Sequence, residues 1–222
     1  MSDHAAKVAL NQQFARVGKA LASPRRLEIL DLLAQGPRSV EALATETEMS
    51  IALTSSHLQV LRSAGLVAVR RDGPSRHYRL AGDDVYAALA ALRALARGRL
   101  VEVDRALAAY RRVADAPEPM TREELWTRAR SGALVILDLR PRVEYEAGHI
   151  PGAVSVPLDE LAARAGSLSP GREIVAYCRG PYCVLAPQGV EFLRSRGLPA
   201  RRLEERLPEW RMAGYPIEVG PA

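Results

Sequence analysis

A chain of 222 residues with 48% hydrophobic content is long enough for two modest domains and ordinary for a globular protein. No apolar run approaches the roughly 20 residues of a membrane-spanning helix, residues 1–13 lack the apolar core of a secretory signal, and two cysteines five positions apart are too few for a secreted disulfide framework. The net charge of +5 is confined to the first half: residues 1–115 hold 17 Lys/Arg against 12 Asp/Glu, while residues 116–222 hold 14 against 14. The expectation is a soluble cytoplasmic protein with no membrane partner and a polyanion bound by its first half.

In chain order, Ser23-Pro24 opens a helix with proline at its first position, carrying Leu27, Ile29, Leu30, Leu32 and Leu33 to a stop at Gly36-Pro37. Ser39 caps a second helix through Glu41, Leu43 and Ala44. Ser50 caps a third, which carries Leu53, His57, Leu58 and Leu61 and ends before Gly65. Leu66 to Arg71, the turn Asp72-Gly73-Pro74-Ser75, and Arg76 to Leu80 make a strand–turn–strand hairpin. Two short helices at a tight turn followed by a basic hairpin form a winged helix-turn-helix, which presents one helix to a major groove and a wing to flanking phosphates.

The polar residues on or near the outward face of the third helix are Ser50, Thr54, Ser55, Ser56, His57, Gln59 and Arg62. Hydroxyls and Gln reach base edges, whereas Arg62, Arg70, Arg71 and Arg76 suit phosphates. His57 fits a half-buried hydrogen-bonded residue as well as a base contact. This stretch resembles the ArsR family of bacterial regulators over roughly residues 8–110. The likeness is carried by Ala20-Leu21-Ala22-Ser23-Pro24-Arg25-Arg26, Ser55-Ser56-His57-Leu58-Gln59-Val60-Leu61, Ala64-Gly65-Leu66-Val67 and the wing from Arg71 to Tyr78.

Val85, Leu89, Leu92, Ala96, Leu100, Val103, Leu107 and Tyr110 recur at spacings of three or four, one apolar stripe along a long helix in which Gly98 favours a bend. The resemblance implies that this stripe buries itself on a second subunit, giving a homodimer on a double-stranded DNA operator. Metal-sensing members carry paired cysteines in the second helix or His/Asp clusters on the long one. Here the second helix reads Glu41-Ala42-Leu43-Ala44-Thr45-Glu46, and Glu102 and Asp104 point to different faces, so no metal site is expected.

Asp115-Ala116-Pro117-Glu118-Pro119 reads as a stiff linker, dividing the chain into residues 1–115 and 116–222. Thr121 with Glu124 makes a capping box before Leu125 and Trp126. The short apolar run Ile174-Val175-Ala176-Tyr177 reads as a buried strand and leads into Cys178-Arg179-Gly180-Pro181-Tyr182-Cys183, followed by a helical pattern around Val190, Phe192 and Leu193. A cysteine between strand and helix meets backbone N–H groups and a helix N-terminus, both of which favour thiolate.

The second half resembles rhodanese-like sulfurtransferase domains over roughly residues 117–219. The matching segments are Leu137-Asp138-Leu139-Arg140, Glu144 through Gly148-His149-Ile150-Pro151-Gly152-Ala153, the loop at Cys178, and Leu207-Pro208-Glu209-Trp210. Arg206 departs from the family, which has glycine there, and is expected to alter a surface turn. By resemblance, Cys178 attacks thiosulfate or another sulfane-sulfur donor, forms a persulfide and passes sulfur to a thiophilic acceptor, with no cofactor. Arg179, Gly180, Pro181, Tyr182, Cys183 and Val184 form the anion-binding loop, Arg179 attracting anionic donors. Asp138 with Arg140, and His149, read as structural. Cys183 is either a small loop-closing residue or the partner that resolves the persulfide; both readings stay open.

The resulting expectation is a mainly α winged helix-turn-helix domain joined to an α/β rhodanese-like domain with a parallel sheet, coupling reactive sulfur to operator binding. The alternatives are a sulfur- or redox-sensing repressor without turnover, a sulfurtransferase with a vestigial DNA-binding half, and an oxyanion phosphatase or arsenate reductase. The last needs an arginine closing the loop, where Val184-Leu185-Ala186 stand instead.

Overall fold

The computed structural model describes residues 2–72, 75–111, 118–168, 171–180 and 182–221. They fall into two compact units, Met1–Arg93 and Ala94–Ala222.

The first unit opens with a helix absent from the sequence-based expectation, α1 (Asp3–Leu21), whose start is fixed by Ser2 Oγ accepting the Ala5 N–H at 3.3 Å. Its Val8, Leu10, Phe14 and Val17 are exposed, and Ala20 alone is fully buried along it. Next come α2 (Pro24–Ala34), the short strand β1 (Arg38–Ser39), α3 (Val40–Glu46) and α4 (Ile51–Ser63). Ser39 and Ser50 act as the expected caps, accepting the N–H groups of Ala42 and Leu53, each at 3.2 Å. The wing is β2 (Val67–Asp72) against β3 (Ser75–Leu80), with β1 pairing antiparallel on the far side of β3. Gly73 and Pro74 of its turn lie outside the described residues. Ile29, Leu30, Leu43, Leu58 and Leu61 form the centre of the core, where helical spacing placed them. Leu53 is corrected: it is 47% exposed rather than part of that core.

The expected long helix is two elements, α5 (Asp83–Arg99) and α6 (Val101–Arg111). At the break the Leu100 N–H still reaches the Ala96 carbonyl at 2.8 Å, and the Val103 N–H then turns to Leu100 at 3.0 Å. Gly98 lies two residues before the break, and glycine weakens a helix interior by about 1 kcal/mol against alanine. The stripe is divided as well: Val85 and Leu89 serve the first unit's own core and Leu107 is buried, whereas Leu92 and Leu100 are exposed. The Tyr110 side chain and linker residues 112–117 lie outside the described residues.

The second unit carries α7 (Arg122–Ala129), β4 (Leu134–Asp138), α8 (Arg142–Ala147), β5 (Val154–Ser155), α9 (Leu161–Arg164), β6 (Glu173–Tyr177), α10 (Leu185–Ser195), β7 (Ala200–Arg202) and α11 (Leu207–Met212). The sheet is parallel throughout, in the order β5-β4-β6-β7. Strand periodicity divides its side chains between two cores. Val175 and Tyr177 pack with Leu125, Ile136 and Trp210, while Ile174 and Ala176 pack with Leu137, Val190 and Leu193. Thr121 caps α7 by accepting the Glu124 N–H at 3.2 Å. The Glu124 carboxylate, expected to turn back to that cap, instead bonds Arg128 and Arg201 at 3.1 and 2.9 Å.

Candidate active site and nucleic-acid interface

The chain leaves β4 toward β5 on one side and β6 toward β7 on the other, so the carboxyl ends of β4 and β6 flank a topological switch point, where open α/β sheets bind ligands. Asp138 ends β4, and Cys178 follows β6. The Asp138 carboxylate grips Arg140 in a fork, with Nε at 2.9 Å and a terminal guanidinium nitrogen at 2.6 Å. It also accepts the Tyr177 hydroxyl at 2.7 Å. Asp138 and Arg140 are fully buried; burial pulls the guanidinium's pKa down, but the Asp138 bonds and charge overcome this and hold it above the ordinary value. The pair is structural. So is His149, whose ring stacks on Tyr145 at 3.6 Å and reaches the Tyr145 carbonyl through Nδ1 at 2.8 Å.

Cys178 is 3% exposed, its Sγ 4.0 Å from the Gly180 carbonyl, which also accepts the Cys183 N–H at 2.9 Å. The two cysteines thus meet at one carbonyl, and both are free thiols. Burial, then Cys183, push the Cys178 thiol up, opposed by bonds from the Gly180 and Ala186 backbone. The Cys178 hydrogen bond holds Cys183 down to about 6 against burial, with help from the Leu185 and Arg179 backbone and the Arg179 charge. Cys183 is therefore the more acidic member of the pair and Cys178 the less acidic.

Other loop positions differ from expectation. The Arg179 guanidinium is held by the fully buried carboxylate of Glu144 on α8, with Nε to Oε1 at 2.9 Å, so it anchors the loop rather than standing open to anionic donors. Pro181 lies outside the described residues. Arg206 does not alter a surface turn: it is 3% exposed, and its guanidinium lies 4.7 Å over the Tyr182 ring. Glu144 and Arg206 are the residues of this site that sequence reasoning missed. Glu144 lay inside a matched motif without an assigned partner, and Arg206 was visible only as a departure from glycine.

In the first unit, Ser56, Gln59 and Arg62 are exposed on α4, Ser55 and His57 are half-buried, and Ser50 is exposed but occupied as a cap. Thr54 is corrected: it is fully buried, its Oγ1 donating to the Ser50 carbonyl at 3.0 Å, so it faces the core and not a groove. Burial, then the charges of Arg26 and Arg25, lower the His57 pKa. Ile51 and Leu53 are exposed at the start of α4, a pair able to contact thymine methyl groups that a search for polar residues passes over. On the wing, Arg70, Arg71 and Arg76 are exposed, and Arg71 stands directly opposite Arg76.

A winged helix-turn-helix with a basic wing, joined to a parallel α/β unit with Cys178 at the sheet's switch point, defines a DNA-binding regulator carrying a rhodanese-like domain. The model for "Bacterial regulatory protein, arsR family" matches residues 23–69, and that for "Rhodanese-like domain" matches residues 121–213. The HTH-type transcriptional regulator Rv0324 of Mycobacterium tuberculosis is 49% identical over 214 residues, covering 96% of this chain and 94% of that protein. The chain belongs to this family of ArsR-type transcriptional regulators with a rhodanese-like domain. The putative sulfur carrier protein YrkF of Bacillus subtilis is 48% identical over 46 residues, 21% of this chain and 25% of its own. Among solved structures, the homodimeric winged helix-turn-helix DNA-binding domain Mb0332 of Mycobacterium bovis is 52% identical, covering 46% of this chain and 93% of that one, with a TM-score of 0.42. Among the described residues, no helix is long and apolar enough to cross a membrane.

Proposed function

We propose that this transcriptional regulator binds a short inverted-repeat operator as a cytoplasmic homodimer and receives a reactive-sulfur signal at Cys178. The observation that carries the sulfur chemistry is the position of Cys178: at the carboxyl end of β6, beside the switch point, where the loop leads into α10. Backbone N–H groups at such a strand–loop–helix junction favour a persulfide anion. Cys178 attacks the outer sulfur of thiosulfate or a related sulfane donor, sulfite leaves, and a thiophilic acceptor removes the bound sulfur.

Like charges directly opposite across a hairpin are destabilising, so the Arg71–Arg76 pair supports a wing built to meet phosphates. Exposed Val8, Leu10, Phe14 and Val17 on α1 with Leu92 on α5 support burial against a second copy. We draw the functional division at residues 115 and 116, in the proline-containing linker just before the rhodanese match.

Thiocyanate formation from thiosulfate and cyanide tests the reading. The full chain should turn over, and Cys178→Ser should be inactive. A serine variant with the parent's activity would remove Cys178 from the reaction. Duplexes selected from a random pool should yield an inverted repeat; recovery of no preferred sequence would remove the regulator reading.

A further inference from the structure

We propose that Cys183 is the second reacting thiol of this site, so that a persulfide formed on Cys178 is resolved within the loop to a Cys178–Cys183 disulfide with release of hydrosulfide. The inference deepens the sulfur-transfer reading above and rests on it. Cys183 is not a bystander closing a turn. Its backbone N–H is tied at 2.9 Å to the same Gly180 carbonyl that Cys178 Sγ approaches at 4.0 Å. Both are free thiols of one short loop, and Cys183 is the more open of the two, half-buried where Cys178 is buried.

The arrangement supplies each proton and electron pair the sequence of steps needs. When the pair holds one proton, it starts on Cys178, because Cys183 is the more acidic member. As thiosulfate reaches the loop, Cys183 takes that proton, Cys178 Sγ attacks the sulfane sulfur, and sulfite departs with the electron pair of the S–S bond. The products are a Cys178 persulfide anion and a Cys183 thiol. Return of the proton to the outer persulfide sulfur restores the Cys183 thiolate, which attacks Cys178 Sγ. The new bond is Cys178–Cys183, and the outer sulfur leaves as hydrosulfide. Two thiols are oxidised by two electrons, and the sulfane sulfur takes up both, so no further oxidant enters. Thiolate attack on the inner sulfur is ordinary thiol–disulfide exchange, favoured when the attacking thiol titrates near or below ambient pH.

The chemistry separates this domain from a simple sulfur carrier: the donor leaves a covalent record in the protein, erased by a thiol reductant.

The test treats the reduced full-length protein with thiosulfate, without added thiol, and reads intact mass and released hydrosulfide. The parent protein should lose two hydrogens, reversibly by reductant, and release one hydrosulfide per chain. Cys183→Ser should gain one sulfur and release none, and Cys178→Ser should do neither. A parent protein that holds one added sulfur as stably as Cys183→Ser, with no hydrosulfide, would overturn the role of Cys183 while leaving sulfur transfer intact. A sulfur gained by Cys178→Ser would overturn the order of the two thiols. No sulfur gained by Cys183→Ser and no change in the parent would overturn both this inference and the reading beneath it.

Discussion

Arg206 and Gly180 leave no room for a side chain at position 180. A Cβ built on Gly180 would fall 2.0 Å from Arg206 Cγ and 2.5 Å from Cδ, and the Gly180 φ of +105° is one that other residues rarely adopt. Arg206 is itself fixed, its backbone N–H bonded to Glu209 at 2.9 Å and its guanidinium stacked over Tyr182. The side chain thus lies against the loop between Cys178 and Cys183.

This contact is expected to be energetically shared. Gly180→Ala should destabilise by about 1–3 kcal/mol through overpacking and strained backbone. Arg206→Ala should lose a partly desolvated cation–aromatic contact of about 1–2 kcal/mol. Because Arg206→Ala removes the atoms the new methyl meets, the double variant should be less destabilised than the two single effects together. Denaturant unfolding followed by tryptophan fluorescence measures this for the second unit alone, since both tryptophans, Trp126 and Trp210, belong to it. Strict additivity would mean the two residues do not meet.

The thiol pair makes a pH prediction. Cys183 is depressed to about 6, chiefly by the Cys178 hydrogen bond, from an ordinary 9.0. Iodoacetamide alkylation of Cys183 should therefore rise through about pH 6 and level off above it, with Cys178 modified later because burial raises its thiol. A depressed acid stabilises the fold fully above its unfolded value and loses that contribution as pH falls, so Cys183 favours the folded state above pH 9.0 and progressively less down to about 6. Cys178→Ala removes the hydrogen bond and should move the alkylation midpoint up toward 9.0. Peptide mapping that finds Cys178 alkylated first would reverse the assignment.

Much of this fold was legible because its elements announce themselves locally. Ser39, Ser50 and Thr121 each sit where a side-chain oxygen can hold an N-terminal N–H, and each does. The run into Cys178 reads as a strand because a parallel strand buried on both faces is apolar throughout. What was illegible depends on long-range packing. Thr54 is as polar as Ser55, and only the rotation of α4 on the core buries it. Arg179 looked available to anions because its partner Glu144 lies 35 positions earlier, on another helix. The apolar spacing from Val85 to Tyr110 continues across Leu100 although the helix does not. The start of α1 carried its signal in Ser2 and Asp3, outside the stretch read for helices.

The wing makes a third prediction. Arg70→Ala with Arg71→Ala should weaken specific and nonspecific duplexes alike, because phosphate contacts carry no sequence. The slope of log affinity against log salt should flatten by about 0.9 for each phosphate that the variant no longer neutralises. Ser56→Ala and Gln59→Ala, exposed on α4, should instead alter the preferred sequence with little change in slope. An unchanged salt slope in the arginine variant would place the wing away from the DNA.

Coupling between the two activities is the most demanding expectation. Both cysteines lie in the reactive loop, so a chemical signal carried by thiols must enter through Cys178 and Cys183. For that signal to change operator binding, the modified and reduced proteins must differ in their free energy of DNA binding. A coupling of roughly 1–3 kcal/mol, or about 5- to 150-fold in Kd, is typical of such linkage. Modification is expected to weaken binding, the direction that relieves repression. Operator titrations should therefore give a larger Kd for the thiosulfate-treated protein than for the reduced one, restored by reductant. Cys178→Ser should give the reduced value under both conditions, which separates signalling through the loop from oxidation elsewhere. Superimposable curves for reduced and treated parent protein at several salt concentrations would leave the two activities uncoupled on one chain.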